Sequence, residues 1–135
     1  MVDDLRQLLP KDKLDVAGAR GIVALGYPAV APVLPELLEW LQDCNWPVSR
    51  PIGEFLVTIP EAVAPLIWDV LRGDDDIWKY WCIVCLIGRM PVGVAEQFRG
   101  ELTRLAERPT AAERLEELDE VAREALEAVW PGGGG

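Results

Sequence analysis

The stretch Val30-Ala31-Pro32-Val33-Leu34-Pro35-Glu36-Leu37-Leu38-Glu39-Trp40-Leu41 decides the fold class. Its apolar residues Val30, Val33, Leu34, Leu37, Leu38 and Leu41 recur at helical spacing and form one stripe on one helix face. A second stripe follows in Val63, Leu66, Ile67, Val70 and Leu71. No segment of similar length alternates with period two, so strands are not needed and an all-α fold is expected. The words Ala29-Val30-Ala31-Pro32 return as Ala62-Val63-Ala64-Pro65, 33 residues later, and Trp46 has its counterpart 32 residues on in Trp78. A repeat one helix pair long predicts stacked pairs, each burying its apolar face against the next. The expected architecture is a HEAT/armadillo-like, right-handed stack of antiparallel helix pairs.

Punctuation sets the element boundaries. Gly26 stands where a left-handed C-terminal residue belongs, and Gly73 closes the second stripe. Pro28, Pro47 and Pro60 stand at helix starts, where a missing N–H costs nothing. Asp74, Asp75 and Asp76 offer N-cap oxygens to the helix after them. Thr110 and Glu113 form a T-x-x-E capping box that opens a last helix with the core face Leu115, Leu118, Ala122, Ala125 and Val129. About seven helices are predicted, at roughly 13–25, 28–42, 47–58, 60–72, 76–88, 92–107 and 110–130. Pro32, Pro35, Pro51 and Pro65 fall inside three of them, which predicts kinks or later starts. Residues 1–130 are read as one HEAT-like domain, and 131–135, Pro131 followed by four glycines, as a flexible tail.

The turns resemble those of HEAT repeats, in which an apolar helix leads to an aspartate and then to a valine-basic pair. Leu37-Leu38 leads to Asp43 and then Val48-Ser49-Arg50, with the basic residue one place late. In the second unit Asp76 precedes Trp78-Lys79 without a valine. A more specific resemblance rests on Pro10-Lys11-Asp12-Lys13, Leu25-Gly26-Tyr27-Pro28, Asn45-Trp46-Pro47, Asp76-Ile77-Trp78-Lys79-Tyr80-Trp81 and Pro109-Thr110. These stretches are similar to a family of small bacterial helical proteins of unknown function. The resemblance implies a compact helical domain and brings no catalytic residue with it.

Composition narrows the function classes. The chain has 135 residues, half of them hydrophobic, enough for one core. Twenty-three acidic residues stand against 13 basic ones, for a formal charge of −10. That charge disfavours nucleic acid and anionic membranes as partners and suits a basic protein. No signal peptide or membrane-spanning run is evident, and three cysteines imply no disulfide framework, so a cytoplasmic protein is expected. Histidine is absent, which excludes Ser-His and Cys-His nucleophile systems and His-containing zinc sites.

Three motifs bear on chemistry. Trp81-Cys82-Ile83-Val84-Cys85 resembles a thioredoxin-type Trp-Cys-x-x-Cys, but no βαβ pattern surrounds it, and the thiols read as small core residues. Asp74-Asp75-Asp76 lacks the alternating ligands of a calcium loop and reads as turn and cap, so no metal or other cofactor is expected. Six tryptophans are many for this length. Trp78, Tyr80 and Trp81 cannot all point inward on one helix, so a mixed aromatic-charged patch beside Lys79 and the aspartates is expected.

These observations favour a non-enzymatic protein–protein interaction module, monomeric or weakly dimeric. A narrower form is an acidic immunity- or antidote-type binder of a basic partner. The candidate partner-binding residues are Trp46, Asp75, Trp78, Lys79, Tyr80 and Trp81. Two alternatives stay open: a dithiol redox protein using Cys82 and Cys85, and a small-molecule binder in an aromatic groove.

Overall fold

A computed structural model describes residues 2–132, with side chains from residue 5 onward. The chain is all-α: among the described residues there is no strand, and helices are joined by short turns. They are more numerous and shorter than the seven expected. The chain divides between Ile59 and Pro60 into two compact units.

The first unit holds α1 (Val2–Gln7), α2 (Val16–Val23), α3 (Leu34–Glu39) and α4 (Ser49–Leu56). Asp15 caps α2 by accepting from Gly18 N at 3.0 Å and from Lys11 N at 2.9 Å, and those two donors hold its carboxyl below the usual range. Gly26 is left-handed, with φ +74°, as its position after α2 predicts. Helix α2 packs on α4, α3 also meets α4, and the buried Leu41 beyond α3 lies beside Gly53 of α4. Every residue of the opening stripe, Val30 to Leu41, is buried.

The expected helix 28–42 is nevertheless not one helix. Ala31–Val33 forms a 3-10 turn, and the α-helix starts only at Leu34. A continuous helix here would lose the N–H of Pro32 and of Pro35 within consecutive turns, each loss costing about 3 kcal/mol. Starting at Leu34 puts Pro35 in the first turn, where no hydrogen bond is lost. Pro51 occupies the same kind of position in α4. Ser49 then joins the helices: its buried hydroxyl, with one proton to donate, lies against the carbonyls of Trp40, the residue that ends α3, and of Asp43.

The second unit holds α5 (Pro60–Leu71), α6 (Asp76–Cys85), α7 (Val92–Ala95), α8 (Arg99–Glu107), α9 (Ala111–Leu115) and α10 (Leu118–Val129). Helix α5 packs on α6 and α7, while α10 packs on α6 and α8. Pro65 sits inside α5, which absorbs the single lost bond. The two copies of Ala-Val-Ala-Pro thus take different backbones, a 3-10 turn and an α-helix, although Val30 and Val63 are both buried. A Cβ at Gly88 would crowd Ile83 O at 3.3 Å, while its contact with Ala125 Cβ of α10 at 3.7 Å would be an ordinary one.

The last predicted helix is corrected. The Thr110–Glu113 capping box forms in full, but the helix it opens ends at Leu115. Glu117 is left-handed, with φ 61°, and α10 starts after it. The break rotates the two segments against each other. Leu118, Ala122, Ala125 and Val129 keep the core face, while Leu115 is 82% exposed. Of the expected tail, Pro131 and Gly132 form a turn, and Gly133 to Gly135 lie outside the described residues.

Candidate functional site

The α5–α6 turn is built by the residues that punctuate it. Gly73 N donates to Val70 O as α5 ends. Asp75 caps α6, accepting from Trp78 N at 3.0 Å. Asp76 in the first turn of α6 pairs with Lys79 Nζ at 3.1 Å. Asp76 is thus tied to Lys79, whereas Asp74 and Asp75 face a cleft beside the turn. Among the described residues no three Asp, Glu or Cys side chains are gathered in a way that would hold a metal ion. An open cleft of about 450 Å³ lies beside the turn, lined by Asp69, Val70, Gly73, Asp74, Asp75 and Trp78. Three of the lining residues are aspartates and one is a tryptophan, which gives the cleft an acidic-aromatic lining.

Helix α6 reverses the usual arrangement of charge. Lys79 is only 8% exposed and lies on the core side with Cys82, Ile83 and Leu86. The expectation that Lys79 contributes to a surface patch is corrected by this burial. Residues 79, 82, 83 and 86 are spaced i, i+3, i+4 and i+7, so the lysine shares the core stripe and its charge needs a partner there. Asp76 supplies one, and Lys79 in turn adds a small favourable field at Glu113. The opposite side of α6 carries Ile77 at 50% exposure and Val84 at 39%, with Tyr80 and Trp81 half-buried between them. The Tyr80 and Trp81 rings meet edge to face with centroids 4.8 Å apart.

The other candidates separate. Asp75 and Trp78 share the cleft, and Tyr80 and Trp81 lie further along α6. Trp46 belongs to the first unit, half-buried with its ring edge-on to Trp40 at 5.9 Å. All six tryptophans are half-buried, none fully inside and none fully out. Trp68 stacks on Phe98 at 5.0 Å and donates to Gln97 Oε1 at 2.9 Å. Trp130 lies under the Arg99 guanidinium, 4.8 Å from the ring centroid. Cys82 is fully buried, and burial pushes its thiol well above the ordinary cysteine range; Cys85 on the next turn is half-buried. A reactive dithiol needs the reverse, an accessible thiolate.

An ionic cluster supports the unit from within. Arg104 places Nη2 at 3.0 Å from Glu101 Oε2 and 2.8 Å from Glu113 Oε2. Glu113 also accepts from Thr110 N at 2.8 Å. Arg104, through its hydrogen bonds, holds the Glu113 carboxyl below the usual carboxylate range against the effect of burial. The sequence reading missed the Arg104 partner, because residues nine apart and on two helices meet only through the α8–α9 turn. It also missed Asp69, and Ile77 and Val84, which complete an outer stripe with the already named Tyr80 and Trp81. That stripe was legible at helical spacing, beside the inner one.

The chain is thus all-helical, with an acidic-aromatic cleft beside a helix whose outer side is apolar and partly exposed. It belongs to the family described as a domain of unknown function, DUF5071, which matches residues 8–126. A search of curated proteins gives no match. Among the described residues no helix is long and apolar enough to cross a membrane.

Proposed function

We propose that the chain is a non-enzymatic protein-binding module of bacterial cytoplasm, built on HEAT-like helix pairs, and that its partner is a basic protein. The observation that carries this reading is the cleft lined by Asp69, Asp74, Asp75 and Trp78. A lysine or arginine side chain entering it meets carboxylates and an indole face, the pairing that makes tryptophan a frequent anchor at interfaces. The formal charge of −10 adds long-range attraction for such a partner. An immunity- or antidote-type role, masking a basic protein, is the narrower form.

The same cleft volume, about 450 Å³, also suits a small organic cation. The test is capture from a bacterial lysate on the wild-type chain and on Trp78→Ala, with helicity checked by circular dichroism. The captured protein is then purified and rebound. The reading expects a basic protein that wild type retains and Trp78→Ala loses, with affinity falling as salt rises. Equal retention by both chains, or nothing beyond a charge-matched acidic control, sinks it. A fluorescence response of the tryptophans to small cations without any protein partner would instead favour the small-ligand reading.

A further inference from the structure

The outer side of α6 has no charged residue. From Ile77 to Leu86 the only charged side chain is Lys79, and it is turned inward and 8% exposed. Outward stand Ile77, Tyr80, Trp81 and Val84, at i, i+3, i+4 and i+7, with Ile77 half exposed. A helix on the surface of a globular protein ordinarily turns its charges out. One that is apolar on both sides has two sides to cover, and the core covers only one.

The stripe does not stop at the end of the helix. It runs into a groove of about 150 Å³ whose lining includes Val84, Gly88, Val121, Ala125 and Ala128. Gly88 lines this groove without a side chain, and a Cβ there would crowd Ile83 O at 3.3 Å. The helix from Ile77 to Val84 rises about 10 Å, about two turns of a partner helix, and the groove continues the apolar track beyond it.

Charge chooses the occupant. Asp74 and Asp75 stand at the start of the track and Glu124 at the rim of the groove. A second copy of this chain would bring the same acidic ends together, with −10 facing −10. We propose that the outer face of α6 and the groove at Gly88 dock one amphipathic helix of a basic partner protein, with apolar anchors on the track and lysine or arginine at its ends. The inference rests on the interaction reading above and names the shape and chemistry of what binds. Recognition of this kind lays the apolar face of a helix on a hydrophobic track through anchors at i, i+3, i+4 and i+7.

The test uses the full chain and a leucine-lysine helical peptide of about 14 residues, roughly 21 Å of helix. Leucines occupy one face. Controls are a scrambled isomer of the same composition and a leucine-glutamate twin. Binding is followed by fluorescence anisotropy at physiological salt, on chains whose fold is checked by circular dichroism. The wild type is expected to bind the leucine-lysine helix at least ~10-fold more tightly than either control. Val84→Glu and Ile77→Glu are each expected to weaken it ~10-fold or more, whereas Leu115→Glu on α9 leaves it unchanged. Two variants guard against one misfolding, and Ile77 is half exposed.

Binding that neither Val84→Glu nor Ile77→Glu changes overturns the proposal, as does equal binding of the scrambled isomer or no binding at all. Wild-type self-association that Val84→Glu abolishes would assign the face to a second copy and also overturn it. A basic partner captured through Trp78 but held equally by Val84→Glu refutes this face while the interaction reading stands. Capture insensitive to Trp78→Ala, with the peptide still lost in Val84→Glu, does the opposite.

Discussion

Replacing Glu113 tests whether the ionic cluster holds the end of α8 to the start of α9. Its carboxylate takes Arg104 Nη1 at 3.2 Å, Arg104 Nη2 at 2.8 Å and Thr110 N at 2.8 Å, and the residue is buried. Hydrogen bonds to a charged group contribute about 1.5–3 kcal/mol each, and loss of a helix cap costs about 1 kcal/mol. Those values do not add here. Arg104 keeps its two bonds to Glu101 at 3.1 and 3.0 Å, and its side chain is about one-third open to solvent, so its charge is not stranded. Glu113→Ala is therefore expected to cost about 2–4 kcal/mol, and Glu113→Gln about 1–2 kcal/mol.

The pH dependence has a definite sign. Arg104 lowers the Glu113 carboxyl in the folded chain, so the folded state binds the proton more weakly than the unfolded one. The contribution is complete above the unfolded value of about 4.3 and is lost as pH falls through the lower folded value. Urea titrations followed by tryptophan fluorescence should show wild type ahead of Glu113→Gln at neutral pH. The gap should shrink once both states are protonated. A gap of the same size at neutral and at strongly acid pH refutes the argument. So does an Arg104–Glu113 double-mutant cycle with coupling below ~0.5 kcal/mol.

Leu115→Ala should change the unfolding free energy by under ~0.5 kcal/mol, since the side chain is 82% exposed, whereas Leu118→Ala should cost about 2–5 kcal/mol. A continuous last helix would make the two losses similar, so thermal or urea unfolding of the pair decides between them. Glu117→Gly should raise stability by roughly 0.5–1 kcal/mol, because a left-handed backbone strains an exposed glutamate and not a glycine; a lower melting temperature would count against that strain. In thiol labelling of the folded chain, Cys82 should react last, only after Cys44 and Cys85. Rapid modification of Cys82 would remove the burial argument and revive the dithiol reading.

Much of the local structure was legible before any coordinates. Stripes at helical spacing identified α3 and α5, and glycines at 26 and 73 marked turns; of the three aspartates Asp75 caps α6, and the Thr110 capping box forms, although the helix it opens ends at Leu115. These features act between residues three or four apart, so a single segment contains their whole cause. Pairs of prolines also carried their message locally, since two missing N–H groups in consecutive turns forbid the long helix drawn through 28–42.

The candidate site was less legible. Asp75 and Trp78 share a turn and were found. Asp69 joins them because α5 brings it back beside that turn. Lys79 looked like a surface residue because lysine usually is one, yet it lies inside because three apolar neighbours on its stripe do. The left-handed Glu117 belongs to the same class. A run of good helix formers, Leu115-Glu116-Glu117-Leu118, gives no local reason to stop. Glu113 is held by Arg104, and α10 is held by α6 and α8, so two fixed ends impose a break between them. Sequence by itself determined that the chain is helical, where α6 and α9 are capped, and that no histidine chemistry is available. Tertiary structure alone decided which side of α6 faces water and where the last helix breaks, because burial and ion pairing join residues that no local period connects.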